Sequence, residues 1–137
     1  KKTKTRRLIL TKKINTITNS QLSPGYCVVQ SCHSLADFSH EFPEQFKDWK
    51  ESSNSIICLE AKSEEHLLNI YEKFKDLTPS VIFFEPDIDQ YTSICLYGTP
   101  DIRKKLASLP LILKNKKEED DIGRTKYNID DVIVDVQ

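Results

Sequence analysis

No stretch of about 18 apolar residues occurs in the 137-residue chain, so no transmembrane helix and no membrane partner are expected. The longest apolar bursts, VIFF at 81–84 and LPLIL at 109–113, are the size of strands. No apolar region follows the polar, basic first seven residues, so no secretory signal is expected. Methionine is absent, and the sequence starts at Lys1 without an initiator residue. Cys27, Cys32, Cys58 and Cys95 show no C-x-x-C spacing and form no zinc-ligand pattern with the histidines, so neither a metal nor another cofactor is expected. They fall within predicted helix and strand interiors, where a free thiol behaves as a small hydrophobe. That suits a reducing compartment, the cytoplasm first and a mitochondrion or other organelle as the alternative. No G-x-S-x-G elbow exists, which leaves an acyl-serine route without support. There is no internal repeat and no long low-complexity tract.

A charge excess of either sign is also missing. The net charge is -1, which does not announce a nucleic-acid binder. Its distribution is uneven, however. Lys4, Arg6, Arg7, Lys12 and Lys13 crowd the first thirteen residues, and acidic side chains dominate the end. Phosphate attraction is local, so the basic end is a candidate RNA-binding surface. At 137 residues a single domain is expected, over 1–113, with 114–137 as a charged C-terminal extension. Within that extension KNKKEEDD is a charge run. IDDVIVDVQ alternates enough to be a strand, or a tail that orders on a partner.

Periodicity and punctuation lay out the rest. RRLILTKKI, 6–14, reads as a first strand, and NTITNSQ after it as a polar loop. Ser23-Pro24 starts a helix, with Ser23 as the cap and Pro24 at the first position. Val28, Cys32 and Leu35 form its apolar stripe. A short helix restarts at Pro43, with Trp49 in the core. Strands follow at 55–61, 80–85 and 91–98. Ser63 caps one helix between them, and Thr99-Pro100 starts a last one that runs to about Ser108. LPLIL then packs back on the body. The order β-α-α-β-α-β-β-α predicts an α/β fold with helices on the faces of a mixed sheet.

The segment LSPGYCVVQSCH places Gln30 and His33 one helical turn apart, with Asp37 a further turn along. Together with FPEQFKDW, IICLEAKSEEHLLNIYEKF, FFEPDIDQYTSICLYGT and LPLIL, it resembles the type 2 peptidyl-tRNA hydrolase family over roughly residues 6–113. No single string is highly specific; their order and spacing together carry the resemblance. It implies a three-layer fold, a four-stranded mixed sheet between helices. It also implies hydrolysis of the ester joining a peptide to the 3′ ribose of tRNA.

Carried over residue by residue, Gly25, Gln30 and His33 match the family's first helix. The lysine that follows the glycine in the family is Tyr26 here, a hydrogen-bond donor without positive charge at neutral pH. The acid after the third strand is Glu85 or Asp87, and the threonine opening the fourth strand is Thr92. In this scheme His33 orients or deprotonates water. Glu85 or Asp87 fixes the imidazole or acts as the base. Gly25, Tyr26 and Gln30 contact substrate, and N–H groups near the helix start serve the oxyanion. The tyrosine motivates an alternative, the same fold with degraded catalysis, serving as an RNA- or protein-binding subunit of a larger ribonucleoprotein. The expected partners are tRNA or another RNA, with a homodimer or a larger complex as the candidate assembly.

Overall fold

The computed structural model of the protein describes residues 11–114. Lys4, Arg6 and Arg7 lie outside the described residues, as does the extension beyond Lys114. The elements are β1 (Lys13–Asn19), α1 (Pro24–Glu41), α2 (Pro43–Glu51), β2 (Ser55–Ala61), α3 (Glu64–Phe74), β3 (Ser80–Glu85), β4 (Gln90–Gly98) and α4 (Pro100–Lys105). The four strands form one mixed sheet in the order β2-β1-β4-β3. β1 pairs parallel with β2 and antiparallel with β4, and β3 and β4 form a hairpin. This is the α/β architecture expected.

One boundary differs from the sequence reading. The first strand was expected over 6–14 with a polar loop after it. Instead β1 begins at Lys13 and runs through NTITN, residues 15–19, which form most of a central strand. The cause is burial of polar side chains. Asn15, Thr16, Thr18 and Asn19 are each at most 2% exposed, although their composition reads as loop. Thr18 is paired with hydroxyls, and Asn19 accepts from the Gln21 N–H at 3.0 Å. Gly98 makes the close approach at the other end possible. A Cβ there would sit 2.0 Å from Asn15 Oδ1 and 2.9 Å from the Lys13 carbonyl oxygen.

The caps follow the local chemistry in two cases out of three. Ser63 Oγ accepts from the His66 N–H at 3.1 Å, and Thr99 Oγ1 accepts from that of Ile102 at 3.4 Å. Ser23 makes no side-chain cap hydrogen bond at the start of α1. α4 stops at Lys105, short of Ser108, with Arg103, Lys104 and Lys105 at its negative end. LPLIL packs back as expected: Ile112 N–H donates to the Cys58 carbonyl at 2.9 Å and Leu111 bridges Leu59 on the outer edge of β2.

Helices α3 and α4 cover one face of the sheet, where Ile17, Leu59, Leu67, Ile94, Leu96 and Ile102 form the larger core. Helices α1 and α2 cover the other, around Ile14, Phe38, Trp49, Cys95 and Tyr97. Trp49 is 6% exposed and its indole donates to the Ser55 carbonyl at 2.6 Å, so it belongs to the core. All four cysteines are free; Cys27 and Cys95 are buried, but Cys32 is exposed on α1 rather than interior. Among the described residues no helix is long and apolar enough to cross a membrane.

Candidate active site

The 18-residue helix α1 turns a different side to the sheet than its apolar stripe suggests. The stripe Val28, Cys32, Leu35 was expected to be buried. The buried positions are Cys27, Gln30, Ser34 and Phe38, while Val28 is 54% exposed. Two polar side chains thus go in and a valine stays out. An unpaired buried amide or hydroxyl costs roughly 1–3 kcal/mol, so inward polar groups require partners. They have them.

Gln30 is fully buried and bridges two strands. Its Nε2 donates to Glu85 Oε1 at 2.9 Å, and its Oε1 accepts from Thr92 Oγ1 at 2.5 Å. Glu85 ends β3 and is 8% exposed; Thr92, near the start of β4, is fully buried. The hairpin therefore presents a carboxylate and a hydroxyl to the same amide. The second carboxylate oxygen of Glu85 accepts from the Asp87 N–H at 3.3 Å. Asp87 itself is exposed in the turn between the strands. Three of the expected site residues, Gln30, Glu85 and Thr92, are brought into one hydrogen-bonded cluster.

Behind the cluster lies a row of hydroxyls that the sequence reading did not single out. Thr18 Oγ1 is 2.8 Å from both Ser31 Oγ and Ser93 Oγ, and Ser34 Oγ is 2.9 Å from Ser93 Oγ. These contacts fix α1 on the sheet and so fix Gln30. The only signal for them was the presence of small polar residues in otherwise apolar segments.

The first turn of α1 faces the carboxylates. Tyr26 is half-buried, and its phenol is held above its usual value, first by loss of solvation and then by the negative charges of Glu85 and Asp87. Among the described residues neither carboxylate forms an ion pair; the pairs present are Lys12–Asp48 at 3.1 Å and Lys75–Glu72 at 2.8 Å. Gly25 has open space around the position of a side chain, so the helix start is approachable. The Gly25 and Tyr26 N–H groups lie at the positive end of a long helix that no side chain caps.

His33 is exposed, with its ring stacked on Phe83 at 4.5 Å between centroids and 16° between planes. Among the described residues its nitrogens make no hydrogen bond, and no carboxylate contacts it. Lys13 starts β1 and Lys12 precedes it, whereas Glu85 lies level with the strand's far end, about 20 Å away at 3.3 Å per strand residue. Lys12 is bonded to Asp48 and lies 5.8 Å from the centre of the Tyr97 ring. The structure therefore does not bring these two lysines to the carboxylate cluster. Among the described residues no group of His, Cys, Asp and Glu side chains could hold a metal ion.

Chemically, the cluster offers a carboxylate positioned by an amide and a hydroxyl, with the start of α1 facing it. That set can activate water against an ester. Comparison with protein families supports the same direction. The family model described as peptidyl-tRNA hydrolase PTH2 matches residues 8–108. No curated protein matches the chain.

Proposed function

Because the chain belongs to the peptidyl-tRNA hydrolase PTH2 family, we propose that it hydrolyses the ester bond of peptidyl-tRNA, or a related aminoacyl-tRNA ester, by direct attack of water. The observation that carries this reading is the Gln30 amide bonded at once to Glu85 and Thr92. An amide so held orients a carboxylate without neutralising it. Glu85, or the exposed Asp87 beside it, takes the proton of the attacking water. The N–H groups of Gly25 and Tyr26 stabilise the oxyanion as it forms. His33, steadied by Phe83, gives a proton to the departing ribose oxygen. Residues 1–113 act as the hydrolase domain, with tRNA as partner. Lys4, Arg6, Arg7, Lys12 and Lys13 attract its phosphates.

Tyr26 favours a second reading. Two carboxylates face it, and among the described residues no cation pairs with them, where the family resemblance places a lysine. A chain that kept the fold and lost the reaction would serve as an RNA- or protein-binding subunit of a larger particle. The two readings separate in one assay. The purified chain, offered an N-acetylated aminoacyl-tRNA, is expected to free tRNA above the spontaneous rate. Release at the spontaneous rate only, with the tRNA still bound, would favour the binding subunit.

A further inference from the structure

β3 is the edge strand of the sheet, pairing with β4 on one side and with no strand on the other among the described residues. Its outward groups can be assigned. The Tyr97 N–H donates to the Pro79 carbonyl at 3.0 Å, so this opposed pair is a bonded one. Antiparallel ladders alternate, so Val81 and Phe83 also turn their main-chain groups toward β4. Ser80 and Ile82 turn theirs outward. A groove of about 440 Å³ lies against this edge, walled by Asp37, His40 and Phe42 at the end of α1, by Tyr71 of α3, and by Ser80 and Ile82. Helices α1 and α3 pack on opposite faces of the sheet, so a groove with walls from both must wrap the open edge of β3 between them.

The same strand ends at Glu85. Three to five residues separate Ile82 and Ser80 from that carboxylate, about 10–17 Å of extended chain. Resting on the hydrolase reading above, we propose that the peptidyl part of the substrate binds as an added strand, parallel to β3. Its C-terminal ester lies beside Glu85 and its third to fifth residues enter the groove. Main-chain pairing of this kind holds a peptide without reading its side chains. The unpaired edge at Ser80 and Ile82 supplies the donors and acceptors, and continuity of one strand from groove to carboxylate supplies the register.

The test uses the full chain and synthetic peptidyl-tRNAs bearing one to five residues, each longer peptide also made with a single N-methylated amide. The expected kcat/KM rises with length up to about four residues, by roughly ten- to a hundredfold in all. N-methylation is expected to cost roughly three- to tenfold at every second amide and little at those between, since one hydrogen bond is lost only where the amide faces β3. Rates independent of length, or equal sensitivity at every amide, would overturn the added strand while leaving the hydrolase reading intact. No hydrolysis of any member of the series would overturn both.

Discussion

On the face covered by α3 and α4, the sheet contributes Ile17, Leu59, Ile94 and Leu96, each at most 6% exposed. On the face covered by α1, the same strands contribute Thr18 and Ser93, and the helix answers with Gln30, Ser31 and Ser34. The first face is held by apolar burial, which has no direction and tolerates repacking. The second combines an apolar cluster around Phe38 and Trp49 with hydrogen bonds that must be satisfied one by one, and these bonds fix positions more than they add stability. The carboxylate cluster stands on the second face, where its geometry is specified by partners rather than by volume.

The contrast can be broken most forcefully from the apolar side. Leu67 is fully buried, and Leu67→Ala is expected to cost about 2–5 kcal/mol of stability. Thermal unfolding would register this as a large fall in Tm, with the hydrolysis rate per folded molecule unchanged. On the polar side, Gln30→Leu keeps the volume but strands Glu85 and Thr92. The expected loss is about 1–3 kcal/mol in denaturant titration, together with a drop in hydrolysis beyond that explained by unfolding. A Gln30→Leu variant with full activity would mean that the cluster is structural only.

Tyr26→Lys sharpens the account of the site itself. It puts an ammonium beside Glu85 and Asp87, and a rise in hydrolysis of about tenfold is expected, one well-placed charge being worth about 1.4 kcal/mol. A fall would show that the phenol does work a lysine cannot. His33 is read by a pair of substitutions. His33→Ala and His33→Phe should both lose about tenfold or more if the imidazole moves a proton. Retention of activity in His33→Phe alone would reduce its role to the stack on Phe83.

The smallest effect lies at Asp48. The Tyr97 hydroxyl, then Lys12, holds its carboxyl below the usual carboxylate range. A carboxyl depressed in the folded state stabilises the protein above its unfolded value near 4, and that stability is lost as pH falls through the lower folded value. Half the side chain is exposed, so the contribution is about 0.2–1 kcal/mol. Asp48→Asn should lower stability at neutral pH by that amount, leave it almost unchanged below the folded value, and so flatten the acid limb of stability against pH.

The apolar face was largely legible in the sequence. Strands 55–61 and 80–85 and the Ser63-capped helix follow from apolar runs and cap chemistry, which operate locally. β1 and the orientation of α1 were not legible, for a shared reason. Asn15, Thr16, Thr18, Gln30 and Ser34 are polar and buried, and a pattern rule assigns such residues to solvent. Thr18, Gln30 and Ser34 take partners from β3 and β4, up to 75 positions away along the chain. Gln30, Glu85 and Thr92 were singled out through family resemblance rather than periodicity. The hydroxyl row behind them had no sequence signal strong enough to name it.

The central claim is that the carboxylate held by Gln30 activates the attacking water. Its most direct test is the rate at which Glu85→Gln frees tRNA from N-acetylated aminoacyl-tRNA, read beside its denaturation midpoint. The account predicts a fall of about a hundredfold or more with the folded state retained. A folded Glu85→Gln protein that hydrolyses at the unsubstituted rate would contradict it.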